Sequence, residues 1–287
     1  MKQLRFRLSE AAREQGVPQE VIEKDYALNY ILAGISTEEK LGRSLVLKGG
    51  TALKKLFFGE YRFSEDLDFS ARGAPTGERL EESLGRTVAK AGRLLSVHGP
   101  FVLQVERYLE REPHPHGHDA FTIRVQFPWH REALCRLKVE ITHDEPILME
   151  PQLRNLIHGY AEELDYQVQC YPLEELAAEK LRTLLQTHQK LATRGWNRPR
   201  ARDYYDLWRI FEDYGEGLQK LLIIDLLNRK AAHRAVSWHG LDDFFTEELV
   251  SEATRTWDTS LGPFVADLPE SGVVLKQLRA SLSSLLS

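Results

Sequence analysis

The chain has 287 residues, of which 42% are hydrophobic and 28% charged, and its formal net charge is −5. That length buries the core of one large or two modest domains, and that balance excludes a disordered chain, a coiled coil and a molecule drawn to nucleic acid by its overall charge. Two cysteines, Cys135 and Cys170, without CxxC or metal spacing, exclude a disulfide scaffold and a structural zinc site.

The N-terminal stretch MKQLRFRLSEAAREQG is polar and amphipathic, with no apolar signal core, and no run approaches the ~18 apolar residues of a membrane span. The expectation is a cytoplasmic protein in a reducing compartment, with no membrane partner. Residues 9–33 carry helical spacing, with Ser9 as a cap, Pro18 as a helix-start residue and Val21, Ile22, Tyr26, Ile31 and Leu32 on an apolar face. The run SLVL, residues 44–47, is short and apolar and stops at Gly49 and Gly50, as a buried strand entering a tight turn does. TALKKLFF follows with Thr51 as a cap and helical spacing. The sum is strand, Gly-Gly turn, helix.

DLDFS alternates like a strand, and Thr76 to Val97 predicts a helix with Leu80, Leu84, Val88, Ala91 and Leu95 on one side. FVLQVERYLE, FTIRVQFPW and CRLKVEIT then predict three strands that extend the sheet in antiparallel fashion. From Pro172 the pattern turns helical, in PLEELAAEKLRTLLQTH, ARDYYDLWRIFEDY, GLQKLLIIDLLNRKAAH and a tail to Ser287. The fold class is therefore α+β: a sheet-and-helix domain over 1–160 and a mostly helical domain over 161–287.

The stretch RFSEDLDFS, residues 62–70, sets Glu65, Asp66 and Asp68 within four residues and flanks two of them with Leu67 and Phe69. On a strand, residues i and i+2 share a face, so Asp66 and Asp68 converge while Leu67 enters the core. A divalent cation such as Mg²⁺, held by carboxylates and substrate phosphates, would remove their repulsion, and Glu140 in LKVEIT is the candidate third acid. D-x-D alone reads equally as two surface acids on an edge strand. The nearby Gly-Gly-Thr turn supplies backbone N–H groups suited to a triphosphate.

The blocks VIEKDYALNYIL, LKGGTALKKLFFGEYRFSEDLDFS, LEELAAEKLRTLL and RPRARDYYDLW, in this order from about Val21 to Trp208, resemble the AbiEii/AbiGii type IV toxin nucleotidyltransferases of the DNA polymerase β-like superfamily. The gap between the glycines and D-x-D is longer than is usual in that superfamily and fits its toxin branch. The resemblance implies an N-terminal polymerase β-like nucleotidyltransferase domain. It also implies Mg²⁺-dependent transfer from an NTP to an RNA, with the tRNA 3′ end as the expected acceptor, translation as the process blocked and a separately encoded antitoxin as partner. Alternative readings on the same fold are transfer of NMP or phosphate to a protein or small molecule, or a non-catalytic NTP-binding module.

Carried over by position, the resemblance puts Gly49, Gly50, Thr51 and Ser64 on the nucleotide phosphates, with Ser64 also matching a hydroxyl that is phosphorylated in related toxins. The metal pair falls on Asp66 and Asp68, the cation for the triphosphate on Lys180, and the last functional acid on Asp203, with Asp206 one helical turn on. Asp203 either orients Lys180 or acts on the attacking hydroxyl; taken alone, Lys180 reads as an exposed helix residue. The loop LATRGWNRPRARD offers Arg194, Trp196, Arg198, Arg200 and Arg202 as an RNA contact, arginines for phosphates and Trp196 for stacking on an unpaired base, or else is a solvated basic loop. In HPHGH, Pro115 and Gly117 favour a turn between strands over a metal site at His114, His116 and His118. Lys24 and Asp25 read as a helix-face ion pair or a packing contact.

Overall fold

The computed structural model describes residues 3–108, 118–194 and 199–286, and the chain divides into two compact units, Met1–Tyr171 and Pro172–Ser287.

In the first unit, α1 (Leu4–Glu14) buries Leu4, Leu8 and Ala12, one per turn, and α2 (Gln19–Thr37) is buried on almost every side between Val21 and Ile35. The single helix expected over 9–33 is thus two. Gly16 adopts φ +61°, which a residue without Cβ tolerates, and Pro18 with its fixed φ starts the second helix. After the short α3 (Leu41–Ser44), β1 (Leu45–Lys48) is buried at all four residues. The chain then turns into α4 (Gly49–Ala52) and one π-helical turn over Leu53–Phe57, so the helix expected there is short and widened.

β2 (Asp66–Ala71) is followed by α5 (Gly77–Leu95), which buries Leu80, Leu84, Val88, Ala91 and Leu95 as the spacing predicts. Then come β3 (Val102–Tyr108), β4 (His118–Gln126), β5 (Cys135–Thr142), β6 (Gln152–Asn155) and β7 (Gln167–Cys170). They form one seven-stranded sheet in the order β3-β4-β5-β2-β1-β7-β6. β1–β7 and β2–β5 pair parallel and the other neighbours antiparallel, so β3, β4 and β5 make the expected antiparallel run but join the rest of the sheet through a parallel pair.

Along β5, Cys135, Leu137, Val139 and Ile141 are buried and their alternates are not, which gives the sheet one apolar face and one polar face. Leu67, Phe69, Phe121 and Ile123 join the apolar face, and α2 and α5 pack against each other and the sheet. Burying each such Leu, Ile or Phe is worth about 1.5–3 kcal/mol. That layer fixes the register of the polar face, because a one-residue slip would turn the acids inward.

The second unit is helical: α6 (Leu173–Arg194), α7 (Ala201–Tyr214), α8 (Lys220–His233), α9 (Glu247–Arg255), α10 (Trp257–Leu261) and α11 (Ser271–Leu286). α6 packs on α7 and α8, and between α6 and α8 the fully buried Lys230 and Glu175 form an ion pair at 3.0 Å. Among the described residues no helix is long and apolar enough to cross a membrane.

Candidate active site

The polar face is richest where β1, β2 and β5 lie side by side. Antiparallel register sets Lys48 opposite Asp68, and parallel register sets Asp68 opposite Glu140 and Asp66 opposite Lys138. Leu67 and Phe69, which alternate with the acids along β2, are fully buried, so Asp66 and Asp68 share the other face, as period-2 geometry requires. Burial, followed by the charges of Glu140 and Asp66, pushes the Asp68 carboxyl up to about 7, while Lys48 pulls it down. Glu140 is held well below the usual carboxylate range, first by the hydrogen bond from His118 and then by Lys138. His118 Nε2 stands 3.5 Å from Glu140 Oε1, and Lys138 Nζ is in direct ion-pair contact with the same oxygen. His118 therefore serves this acid; His114 and His116 lie outside the described residues.

The Gly-Gly turn packs against the acids, and each glycine is needed for its own reason. Gly49 has φ +73°, and a Cβ there would lie 2.7 Å from Asp68 Oδ2. A Cβ on Gly50 would lie 2.5 Å from Arg62 Nη2 and 3.1 Å from Ser64 Oγ. Thr51 donates its hydroxyl to the Asp66 carbonyl and stands 2.9 Å from Ser64 Oγ, which ties the turn to the start of the acid strand. The structure thus brings Gly49, Gly50, Thr51, Ser64, Asp66, Asp68 and Glu140 together. Glu65, the third acid of the stretch, is neutralised separately by an ion pair with Lys24 of α2.

In the second unit, Lys180 on α6 is 8% exposed rather than the exposed residue that the sequence alone suggests. Its Nζ lies 2.9 Å from Asp203 Oδ1 and 2.6 Å from Asp206 Oδ2, both on α7. Burial pushes Asp203 up, but Lys180 and then Arg200 outweigh it and hold the carboxyl below its ordinary value. Asp203 and Asp206 thus fix the position of a buried ammonium. Arg200 also bonds Thr187 Oγ1 at 2.9 Å, and Arg202 donates to the Ser260 carbonyl at 3.0 Å while its guanidinium sits 4.5 Å from the Phe264 ring centre. Trp196 and Arg198 and the side chain of Arg194 lie outside the described residues.

Residues 30–283 match the family of nucleotidyl transferase AbiEii toxins of type IV toxin–antitoxin systems. The chain belongs to the AbiEii family. It is therefore a nucleotidyltransferase, and a toxin of the type IV class. MenT4, a nucleotidyltransferase toxin from Mycobacterium tuberculosis H37Rv, has a similar fold: TM-score 0.66 and 21% identity, over 99% of this chain and 90% of that one. No curated protein sequence matches the chain.

For an AbiEii chain the acids pose a question of fit. Among the described residues no three His, Cys, Asp or Glu side chains are grouped to hold a metal ion by themselves. Asp66 and Asp68 nonetheless offer hard oxygen donors on one face, with mutual repulsion that a divalent cation relieves. Such an ion ordinarily completes its shell with water and substrate phosphates, so the pair fits one that arrives with a nucleotide. Lys48, the residue before Gly49, and Arg62, the first residue of RFSEDLDFS, also belong to this cluster, and spacing alone does not single them out because their partners depend on register and packing.

Proposed function

We propose that this toxin transfers a nucleotidyl group from an NTP to an RNA acceptor, the 3′ end of tRNA, in the cytoplasm and with Mg²⁺, and thereby blocks translation until a separately encoded antitoxin counters it. The observation that supports this best is the contact of the diglycine turn with the acid strand, the 2.7 Å from the Cβ position of Gly49 to Asp68 Oδ2. A nucleotide whose phosphates rest on the turn meets the acids at once.

In this reading Asp66 and Asp68 hold the Mg²⁺, with Glu140 as the third acid behind Asp68. When bound, the ion supplies charge neutralisation at the triphosphate and lowers the cost of in-line attack on the α-phosphorus. The backbone N–H groups of Gly49, Gly50 and Thr51 and the hydroxyl of Ser64 bind the phosphates, while the Thr51 hydroxyl stays on the Asp66 carbonyl. Lys180 is the cation for the charge that gathers on the leaving pyrophosphate, and Asp203 with Asp206 orients it. Transfer to RNA rather than to a protein is supported by the Arg- and Trp-bearing segment 191–203.

The test is incubation with each α-labelled NTP, tRNA and total protein. Label is expected in the tRNA band, and Asp66→Ala is expected to remove it while melting within a few degrees of the parent. Label in a protein band overturns the RNA acceptor, and undiminished transfer by folded Asp66→Ala overturns the site.

A further inference from the structure

Lys24 and Asp25 are the polar pair in EKDY that the proposed chemistry leaves unused, and both precede the segment, residues 30–283, matched by the family. They do not pair with each other. Lys24 Nζ contacts the carboxylate of Glu65, the residue between Ser64 and Asp66. Asp25 Oδ1 lies 2.6 Å from Lys55 Nζ, and Asp25 Oδ2 accepts a hydrogen bond from Tyr160 at 2.9 Å. Lys55 belongs to the π turn that continues the chain from Gly49, Gly50 and Thr51. Successive residues on a helix diverge by about 100°, so one point on α2 reaches two separate segments, the π turn that follows the diglycine turn and the residue that precedes the acid strand.

We infer that Lys24 and Asp25 are positioning residues, which hold the phosphate-binding turn and the acid strand at the separation the transfer step needs. Stability alone does not account for them. The Asp25 and Lys55 side chains are 4% and 2% exposed, and a buried pair of this kind is commonly matched in stability by apolar residues of similar size. α2 suits a fixed reference because it is buried along most of its length. The Lys24 contact is half-buried and lies next to the acids, where a small displacement acts on the geometry of attack more than on nucleotide affinity.

This inference rests on the proposed site, so the test runs Asp66→Ala alongside, with transfer from α-labelled NTPs to total RNA and total protein as readout. Lys24→Glu is expected to lower kcat about tenfold or more with KM for the NTP changed less than about threefold, and Lys24→Glu with Glu65→Lys to recover kcat to within about threefold. Asp25→Leu with Lys55→Met is expected to melt near the parent and yet keep a kcat loss of about tenfold or more. Parental kcat in Lys24→Glu overturns the inference, as does failure of the exchanged pair to rescue, or parental kcat in the folded apolar double variant. Should Asp66→Ala keep its activity, the site falls and the inference with it; should Asp66→Ala be inactive while Lys24→Glu is unaffected, only the positioning role falls.

Discussion

Lys48, Asp68 and Glu140 stand opposite one another on three neighbouring strands, and Gly49 closes over Asp68, so this carboxyl is crowded by like charge on a partly buried face. Its value of about 7 lies above the ordinary 3.8. The folded chain therefore holds a proton there that the unfolded chain releases, and the associated stability is fully present below about pH 3.8 and is lost as the pH rises through about 7. In metal-free protein, Asp68→Asn is expected to exceed the parent in stability by roughly 2–4 kcal/mol at pH 8, with the gap closing towards pH 4. Urea melts in chelator at three pH values measure it. A variant less stable than the parent at pH 8 contradicts the repulsion.

At the scale of the element, the diglycine turn is specified twice over, by backbone conformation at Gly49 and by a neighbour at Gly50. Gly49→Ala is expected to cost about 1–2 kcal/mol for the left-handed conformation, before any displacement of Asp68, and to abolish transfer. Gly50→Ala meets the Arg62 guanidinium, so its cost, about 1–3 kcal/mol as for other overpacked sites, should be less than additive with Arg62→Ala. Thermal melts of the two single variants and the double variant check this, and strict additivity would remove Arg62 as the neighbour that makes Gly50 necessary. Strand, turn, helix and the shared face of Asp66 and Asp68 were legible because each rests on local period and on Leu67 and Phe69 alternating with the acids. Lys48 beside Asp68, Arg62 behind Gly50 and Lys24 with Glu65 were not, since pairings across strands and helices follow from register and packing, not from spacing. β6 and β7, four residues each, are too short to show a period, and the burial of Lys180 depends on carboxylates more than twenty residues away.

For the whole molecule, 43 acidic against 38 basic side chains give a net charge that repels a polyanion, so the proposed RNA binding has to rest on a few local phosphate contacts. The basic segment after α6 divides on this point. Arg202 is committed to the Ser260 carbonyl and the Phe264 ring, and Arg200 to Thr187 and Asp203, so their replacement acts on the second unit's own packing. Arg202→Ala is accordingly expected to lower the melting temperature and leave the dependence of log K on log salt parallel to the parent's. Arg198→Ala is expected to give a slope shallower by about 1, the loss of one phosphate contact. Anisotropy titrations of labelled tRNA between about 50 and 300 mM salt measure both slopes. An unchanged slope in Arg198→Ala takes this segment out of the RNA interface. A shallower slope in Arg202→Ala would mean that its guanidinium leaves Phe264 for a phosphate when RNA binds.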